Sequence, residues 1–537
     1  MKITLQKTVF VFVILIFLGY GVSFIMKTSF VQDGKRYFCL FDDAMISMAY
    51  AKNVVNGYGL NWAKNGDAVE GFTHPLWTFM MIPLQLIPVG DHVKSLFVQL
   101  ISLFFYLGAL WFIKRLTEVL IRRELSFIWL LPVILTAFYY PLVNWSLQGM
   151  ETALQALMVA SVFYLVMKEK TGNRFSLVTA SVIMALGLIL RMDMLLLVLC
   201  VFGYWVFFQK LSLKQLIPLA LIVFVPFVLY LIFRWVYFHD FLPNTYYLKM
   251  TGISTEVRVL RGLDVFGKYM ISVLPAVVFT LLMIALFVRQ AEVFVLFAFI
   301  CVQFSYSVYV GGDAWEWSSV GANRFVSFAM PVFFVALTVA LHQVFVRYSF
   351  FKKNIIKVIA FIIVLSFSFC SFNALLFTEG AGEKWNNLTL KNPPLHFVYH
   401  YYMVEKVKKL NEITTEDAVV ATVQAGICAY YAHFKLTDIM GYNDRFIAKG
   451  PTYFPLNKNN YNEFIPGHVK LNYDYTIKVV KPDVIYDTWG IHRPEIKAKL
   501  DTLLPQYYFK MTKSLWIRKG SPNVKMMKVG EFEALFP

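Results

Sequence analysis

The chain has 537 residues, of which 58% are hydrophobic and only 15% charged, with a formal net charge of +17. A soluble globular protein carries about 25% charged residues, so that class is excluded. Several apolar runs approach the roughly 20 residues that cross a bilayer, and the basic excess belongs in cytoplasmic loops rather than against nucleic acid.

The first apolar run, 9–26, follows Lys2 and Lys7. It resembles a signal sequence, but no small-x-small cleavage site follows, so it is read as a retained first helix. The loop 27–94 opens with "FDDAMISMAYAKNVVNGYG", in which Asp42 and Asp43 are adjacent acids. Ala44, Met48, Ala51 and Val55 share one helical face, and Gly57 suits a C-terminal cap, so an amphipathic helix lying on the membrane surface is expected. A helix cap accounts for one aspartate; the second points to catalysis or ligand binding, and the pair also suits a divalent cation. Next comes "VEGFTHPLW", with Glu70 and His74 as polar candidates and Trp77 as an interfacial anchor. The run 76–88 is short and holds Pro83 and Pro88, so it is expected to dip into the membrane or lie along it.

Further spans are predicted at 95–113, 127–145, 151–168, 175–190, 194–208, 216–233, 266–288, 293–310, 325–345 and 354–375. With the N-terminus in the cytoplasm and 76–88 not crossing, Lys114, Arg115, Arg122, Arg123, Lys168, Lys170, Arg174, Lys210, Lys214, Arg289, Arg347, Lys352, Lys353 and Lys357 all fall on the cytoplasmic side. The polar and aromatic segments then share the opposite side: "LQGMETAL", "RMDM", "LPNTYYLK", "GGDAWEWSSVGANRF" and the tail. Arg191, Lys249 and Arg258 are basic where the rule disfavours basic residues, which fits a phosphate at the surface; Asp193 is a ready partner for Arg191. Tyr246 reads as a belt tyrosine or a substrate contact. Asp313, Trp315 and Arg324 sit in a Gly- and Trp-rich loop suited to a sugar. The spans carry almost no charge besides Gln99, Gln303 and His342 as polar residues, which disfavours a coupled transporter.

The tail, 376–537, loses apolar runs and gains Asn, Asp, Tyr and Pro. "DAVVATV", "AGICAYYA", "FKLTDI" and "KPDVIYD" predict a strand–helix–strand pattern and a further strand, hence a small α/β domain. His468 and Lys470 are open to an acceptor or to structural turns. Of five cysteines, Cys39 and Cys428 lie outside the apolar runs, where pairing in an oxidising compartment is open. No phosphate-binding Walker loop, zinc-protease helix or nucleophile elbow occurs, so a soluble nucleotide substrate is not indicated.

In matching order, "DDAMISMAYAKNVVNGYGLNW", "VEGFTHPLW", "LQGMETAL", "RMDM", "PNTYYLK", "GGDAW…RF" and "TDIMGYND…GHVK…KPDVI" resemble bacterial GT-C glycosyltransferases, and among them the mycobacterial terminal arabinofuranosyltransferase family. His74 and Met192 depart from the family pattern, and no residue here reads a pentose. The apolar runs and the tail predict a polytopic helical fold with about 11 transmembrane helices, a membrane module over 1–375 and a C-terminal periplasmic α/β domain over 376–537, and the resemblance implies that the first loop, 27–94, is catalytic. It implies an enzyme of the bacterial inner membrane that moves a sugar from polyprenyl phosphate to a glycan or glycolipid acceptor on the periplasmic side, with inversion. Asp42 or Asp43 is the expected base; Lys249, Arg191 and Arg258 are expected at the donor phosphate. Glu70, His74, Tyr246, Asp313, Trp315, Arg324, His468 and Lys470 are expected at the substrates. A ligase or polymerase using a lipid pyrophosphate, and a lipid or sugar transporter, are the alternatives.

Overall fold

In a medium without water a backbone satisfies its own hydrogen bonds only as a helix or a closed barrel, and the apolar runs of this chain are helices. The computed structural model describes residues 2–64, 66–121, 127–168, 174–316, 323–348, 354–376, 380–397 and 399–525. Arg122, Arg123, Lys170, Lys352 and Lys353 of the basic loops, and 317–322 of the Gly- and Trp-rich loop, lie outside the described residues.

Gln6–Lys27, Asp91–Leu120, Leu213–Phe238, Ala291–Val310, Met330–Arg347 and Ile355–Phe372 are long and apolar enough to cross a membrane. Two bent pairs, Phe127–Ala137 with Tyr140–Leu147 and Thr255–Ile271 with Val273–Phe287, raise the six to eight. Thr152–Lys168, Arg174–Leu190 and Met192–Phe207 are shorter apolar helices. The protein is thus a polytopic helical membrane protein; length and apolarity establish six to eight of the expected crossings. The segment that was expected to dip is the 11-residue helix Pro75–Gln85, about half the length a crossing needs. Trp77 is buried, not an interfacial anchor.

The chain divides into two compact units. The first comprises Met1–Thr28, Val98–Leu231 and Arg258–Leu395. Its helix Met330–Arg347 is buried over 83% of its apolar window, which makes it a central helix. Polar side chains in the spans tie helices together: Gln99 donates to Thr28 Oγ1 at 2.8 Å and to the Leu147 carbonyl at 2.9 Å, and Gln303 donates to the Phe325 carbonyl at 2.7 Å. At the break before Tyr140 the freed N–H donates to Asn373 Oδ1 at 2.9 Å.

The second unit comprises Ser29–Phe97, Ile232–Val257 and His396–Pro537. It opens with a hairpin of β1 (Ser29–Gln32) and β2 (Lys35–Phe38), turned by Asp33 and Gly34, both at positive φ. Its sheet is built from β3 (Val419–Thr422), β4 (Lys435–Asp438), β5 (Val484–Tyr486), β6 (Tyr508–Lys510) and β7 (Leu515–Arg518), in the order β4-β3-β5-β7-β6. β3 runs parallel to β4 and β5, while β7 is antiparallel to β5 and β6. Side chains alternate across the sheet. Val420, Val484 and Leu515 pack on Val407, Leu410 and Ile413 of the helix His400–Ile413. Ala421 and Ile485 pack on Leu500, Leu503 and Leu504 of the helix Pro494–Tyr507. The C-terminal α/β domain is as expected, and β6 and β7 extend it.

Candidate active site

The acid-bearing helix spans Asp42–Val55. It does not lie flat with one apolar face down: every residue from Ala44 to Ala51 is buried. Its N-cap is Phe41, whose side chain makes no capping bond. The Asp42 carboxylate is turned to another helix instead. Its Oδ1 accepts the Ile427 N–H at 2.7 Å and its Oδ2 the Gly426 N–H at 3.2 Å, at the start of the short helix Ile427–Tyr431. Only glycine fits at 426, since a Cβ there would meet the Asp42 carbonyl oxygen at 1.8 Å. Burial pushes the Asp42 carboxyl up to about 6, and the Asp43 carboxylate adds to this, against the pull of the Ile427 and Gly426 N–H groups. Asp43 is half-buried beside it.

The rest of that helix is anchored along its length. Lys52 donates to the Tyr430 carbonyl at 2.7 Å and to Asp91 at 2.8 Å. Tyr50 donates to the Val69 carbonyl at 2.5 Å and to Asn443 Oδ1 at 3.0 Å. Ser47 Oγ lies 2.8 Å from His74 Nε2, and Thr78 donates to Ser47 at 3.1 Å. His74 is buried and precedes the helix Pro75–Gln85. Glu70, also buried, accepts two bonds from Arg234, at 2.5 and 3.2 Å, and its carbonyl accepts the Asn244 N–H at 2.9 Å.

Lys249 lies on the helix Asn244–Met250, its ammonium 5.6 Å from the Tyr442 ring centre. Tyr246, on the same helix, is exposed. Tyr442 contacts the His468 ring at 6.1 Å, and His468 contacts Trp489 at 5.3 Å. Lys470 is fully buried, donating to the carbonyls of Ala448 at 2.7 Å and Tyr247 at 3.0 Å and to Thr251 Oγ1 at 3.2 Å. Burial lowers its ammonium to about 8, and its three acceptors mark a fastening rather than a surface contact.

The other candidates lie in the first unit. Arg191 is buried between Glu151, at 2.7 Å, and Asp193, at 3.0 Å. Arg258 lies 4.9 Å over the Tyr309 ring. Arg324 pairs with buried Asp313 at 3.3 Å and lies 5.6 Å over Trp145; Trp315 is half-buried. Asp42, Asp43, Glu70, His74, Tyr246, Lys249, His468 and Lys470 thus belong to the second unit, and Arg191, Arg258, Asp313, Trp315 and Arg324 to the first. Among the described residues no group of three or more His, Cys, Asp or Glu side chains is gathered to hold a metal ion. Both Asp42 oxygens face N–H donors, which suits that carboxylate poorly to a cation. Sequence reasoning did not single out Arg234, Tyr50, or the Gly426 and Ile427 N–H groups; their partners lie far off in the chain, and only the lone arginine at the end of an apolar run was a visible signal.

A family profile described as "Domain of unknown function (DUF8728)" matches residues 397–527. No curated protein matches the sequence at a significant level. Among solved structures, ArnT from Cupriavidus metallidurans bound to undecaprenyl phosphate is similar at a TM-score of 0.55, with 11% identity over 96% of this chain and 99% of that one. Its apo form gives 0.54, with 10% identity over 94% and 97%. The Archaeoglobus fulgidus oligosaccharyltransferase tethered to an acceptor peptide gives 0.49, with 11% identity over 95% and 74%. Nothing among these sequences supports the arabinofuranosyltransferase resemblance, but the fold is of the GT-C type.

Proposed function

We propose that the protein is a membrane glycosyltransferase that moves one sugar from a polyprenyl-phosphate donor to a cell-envelope glycan or lipid acceptor. The observation that carries the reading is the division of labour at the adjacent acids. Each oxygen of Asp42 accepts a backbone N–H, so we assign Asp42 to positioning and the adjacent, half-buried Asp43 to the role of base. The likeness in fold to ArnT, whose structure holds undecaprenyl phosphate, supports a lipid-phosphate donor. Residues 1–375 act as the membrane module with its catalytic loop at 27–94, and 376–537 act on the extracytoplasmic side of a bacterial inner membrane.

In this reading Asp43 takes the proton from the acceptor hydroxyl as that oxygen bonds to the anomeric carbon. The bond from that carbon to the phosphate oxygen breaks on the opposite face, so the centre inverts and polyprenyl phosphate leaves. Lys249 faces the departing charge, the contact that contributes most when it is in place before the reaction. Arg191, in the first unit, has its charge offset by Glu151 and Asp193 and is left out of this step.

The experiment is a mass spectrum of the lipid that copurifies with the full-length protein. A single sugar on a polyprenyl monophosphate is the expected result. A long glycan on a pyrophosphate would make the protein a ligase or polymerase. Sugar counterflow in proteoliposomes with no covalent product would make it a transporter.

A further inference from the structure

An open cleft of about 950 Å³ lies within the second unit, and the transfer step above does not use it. Its volume is in the range of small-molecule sites, about 300–1,000 Å³. One wall carries an aromatic platform. Phe446 is 57% exposed and stacks on Tyr475, with ring centres 4.3 Å apart and planes at 28°. The platform is held in place: Asp444 Oδ1 accepts the Ile447 N–H at 2.9 Å, which fixes the turn that carries Phe446, and Tyr475 is hydrogen-bonded to Asp444. Phe446 and Tyr475 both line the cleft.

The charges narrow the ligand. Every basic side chain lining the cleft already has a partner. Arg445 and Lys449 pair with Asp240 at 3.1 and 2.7 Å, and Lys499 pairs with Asp474. No cation is left over for a phosphate or a uronate. Of the acids, Asp438 accepts from the Met440, Gly441 and Asn443 N–H groups and from the Asn443 side chain. Asp444 is likewise taken up by the Ile447 and Phe446 N–H groups and by Tyr475, so the exposed Asp67 remains as the acceptor lining the cleft, with Asn472 on its lining too. A carboxylate acceptor next to an exposed aromatic ring matches a neutral sugar. The hydroxyls of a sugar donate to carboxylates, and the C–H bonds on one face of its ring meet the negative face of the aromatic quadrupole.

We infer that this cleft binds a neutral saccharide unit of the acceptor glycan, stacked on Phe446 and hydrogen-bonded to Asp67. The inference rests on the glycosyltransferase reading and adds where the acceptor is gripped. The cleft is linked to the catalytic helix through Asn443, which donates to Asp438 at 3.1 Å and accepts from Tyr50 at 3.0 Å. A sugar held there is therefore registered against the helix that carries Asp43.

The test is binding of a panel of neutral oligosaccharides, with anionic counterparts, to the full-length protein in nanodiscs. Wild type, Phe446→Ala, Phe446→Tyr and Asp43→Asn are compared. Neutral oligosaccharides are expected to bind wild type, Phe446→Tyr and Asp43→Asn alike, and Phe446→Ala about tenfold more weakly or worse. Three results overturn the inference: no neutral oligosaccharide binds wild type, Phe446→Ala binds as well as wild type, or only anionic saccharides bind. Saccharide binding without any transfer activity would leave the cleft standing and remove the transferase reading instead.

Discussion

Asp42 is half-buried, with each carboxylate oxygen on a backbone N–H. Its pKa of about 6 exceeds the roughly 3.9 of an unfolded chain. The folded state thus binds the proton more tightly, and this group's contribution to stability is present below about pH 4 and is lost as pH rises through 6. Asp42→Asn keeps an oxygen for the Ile427 N–H and removes the charge. Thermal melts in detergent should show it within about 1 kcal/mol of wild type at pH 7.5, without the fall in stability between pH 4 and 6. Asp42→Ala strands two N–H donors and should lose about 2 kcal/mol at neutral pH. A wild-type slope retained by Asp42→Asn would assign the titration to another group, such as Asp438, whose buried carboxyl is also pushed up to about 6. Glu70→Gln leaves the Arg234 guanidinium, itself 1% exposed, without its counter-charge, and should cost about 3–5 kcal/mol in the same melts.

Close backbone approaches fix how the elements meet. A Cβ at Gly262, on the helix Thr255–Phe287, would lie 2.1 Å from the Val308 carbonyl oxygen of the neighbouring helix Ala291–Val310. Small residues permit such contact between membrane helices, so Gly262→Leu should lower the melting temperature more than Gly267→Leu, where a Cβ meets open space. Equal melts would show that the two helices are not pressed together. The elements also show what a sequence discloses. β3, the helix after it, β4 and β5 were legible because apolar runs bounded by turn residues state their own ends. β6 and β7 were not, since strands of three and four residues with alternating or mostly exposed side chains look like loop. The helix Asp42–Val55 was legible as a helix but not as a buried one. Its polar side chains are satisfied by Tyr430, Asn443, Gly426 and Ile427, nearly 400 residues away, and no local pattern announces such partners.

Over the whole molecule, the order of weak motifs was enough to indicate the fold class, because several of them mark turns between spans. Roles were less legible: Glu70 and Lys470 carry the charge expected of a binding site, yet each is buried with close partners. The first loop and the tail are tied within one unit, so a chain ending after Leu395 should lose protection of the loop 27–94. Limited proteolysis of membranes should then cut near Asn61–Ala68 in the shortened chain and spare the full-length protein; equal resistance would show that the loop folds unaided. The central claim is that Asp43, not Asp42, is the base of a glycosyl transfer from lipid phosphate. The most direct measurement is transfer of labelled sugar from polyprenyl phosphate by full-length protein in proteoliposomes, comparing Asp42→Asn with Asp43→Asn. Asp43→Asn should lose about 100-fold or more and Asp42→Asn should largely retain turnover. Full activity in Asp43→Asn, or the reverse order of the two variants, would contradict it.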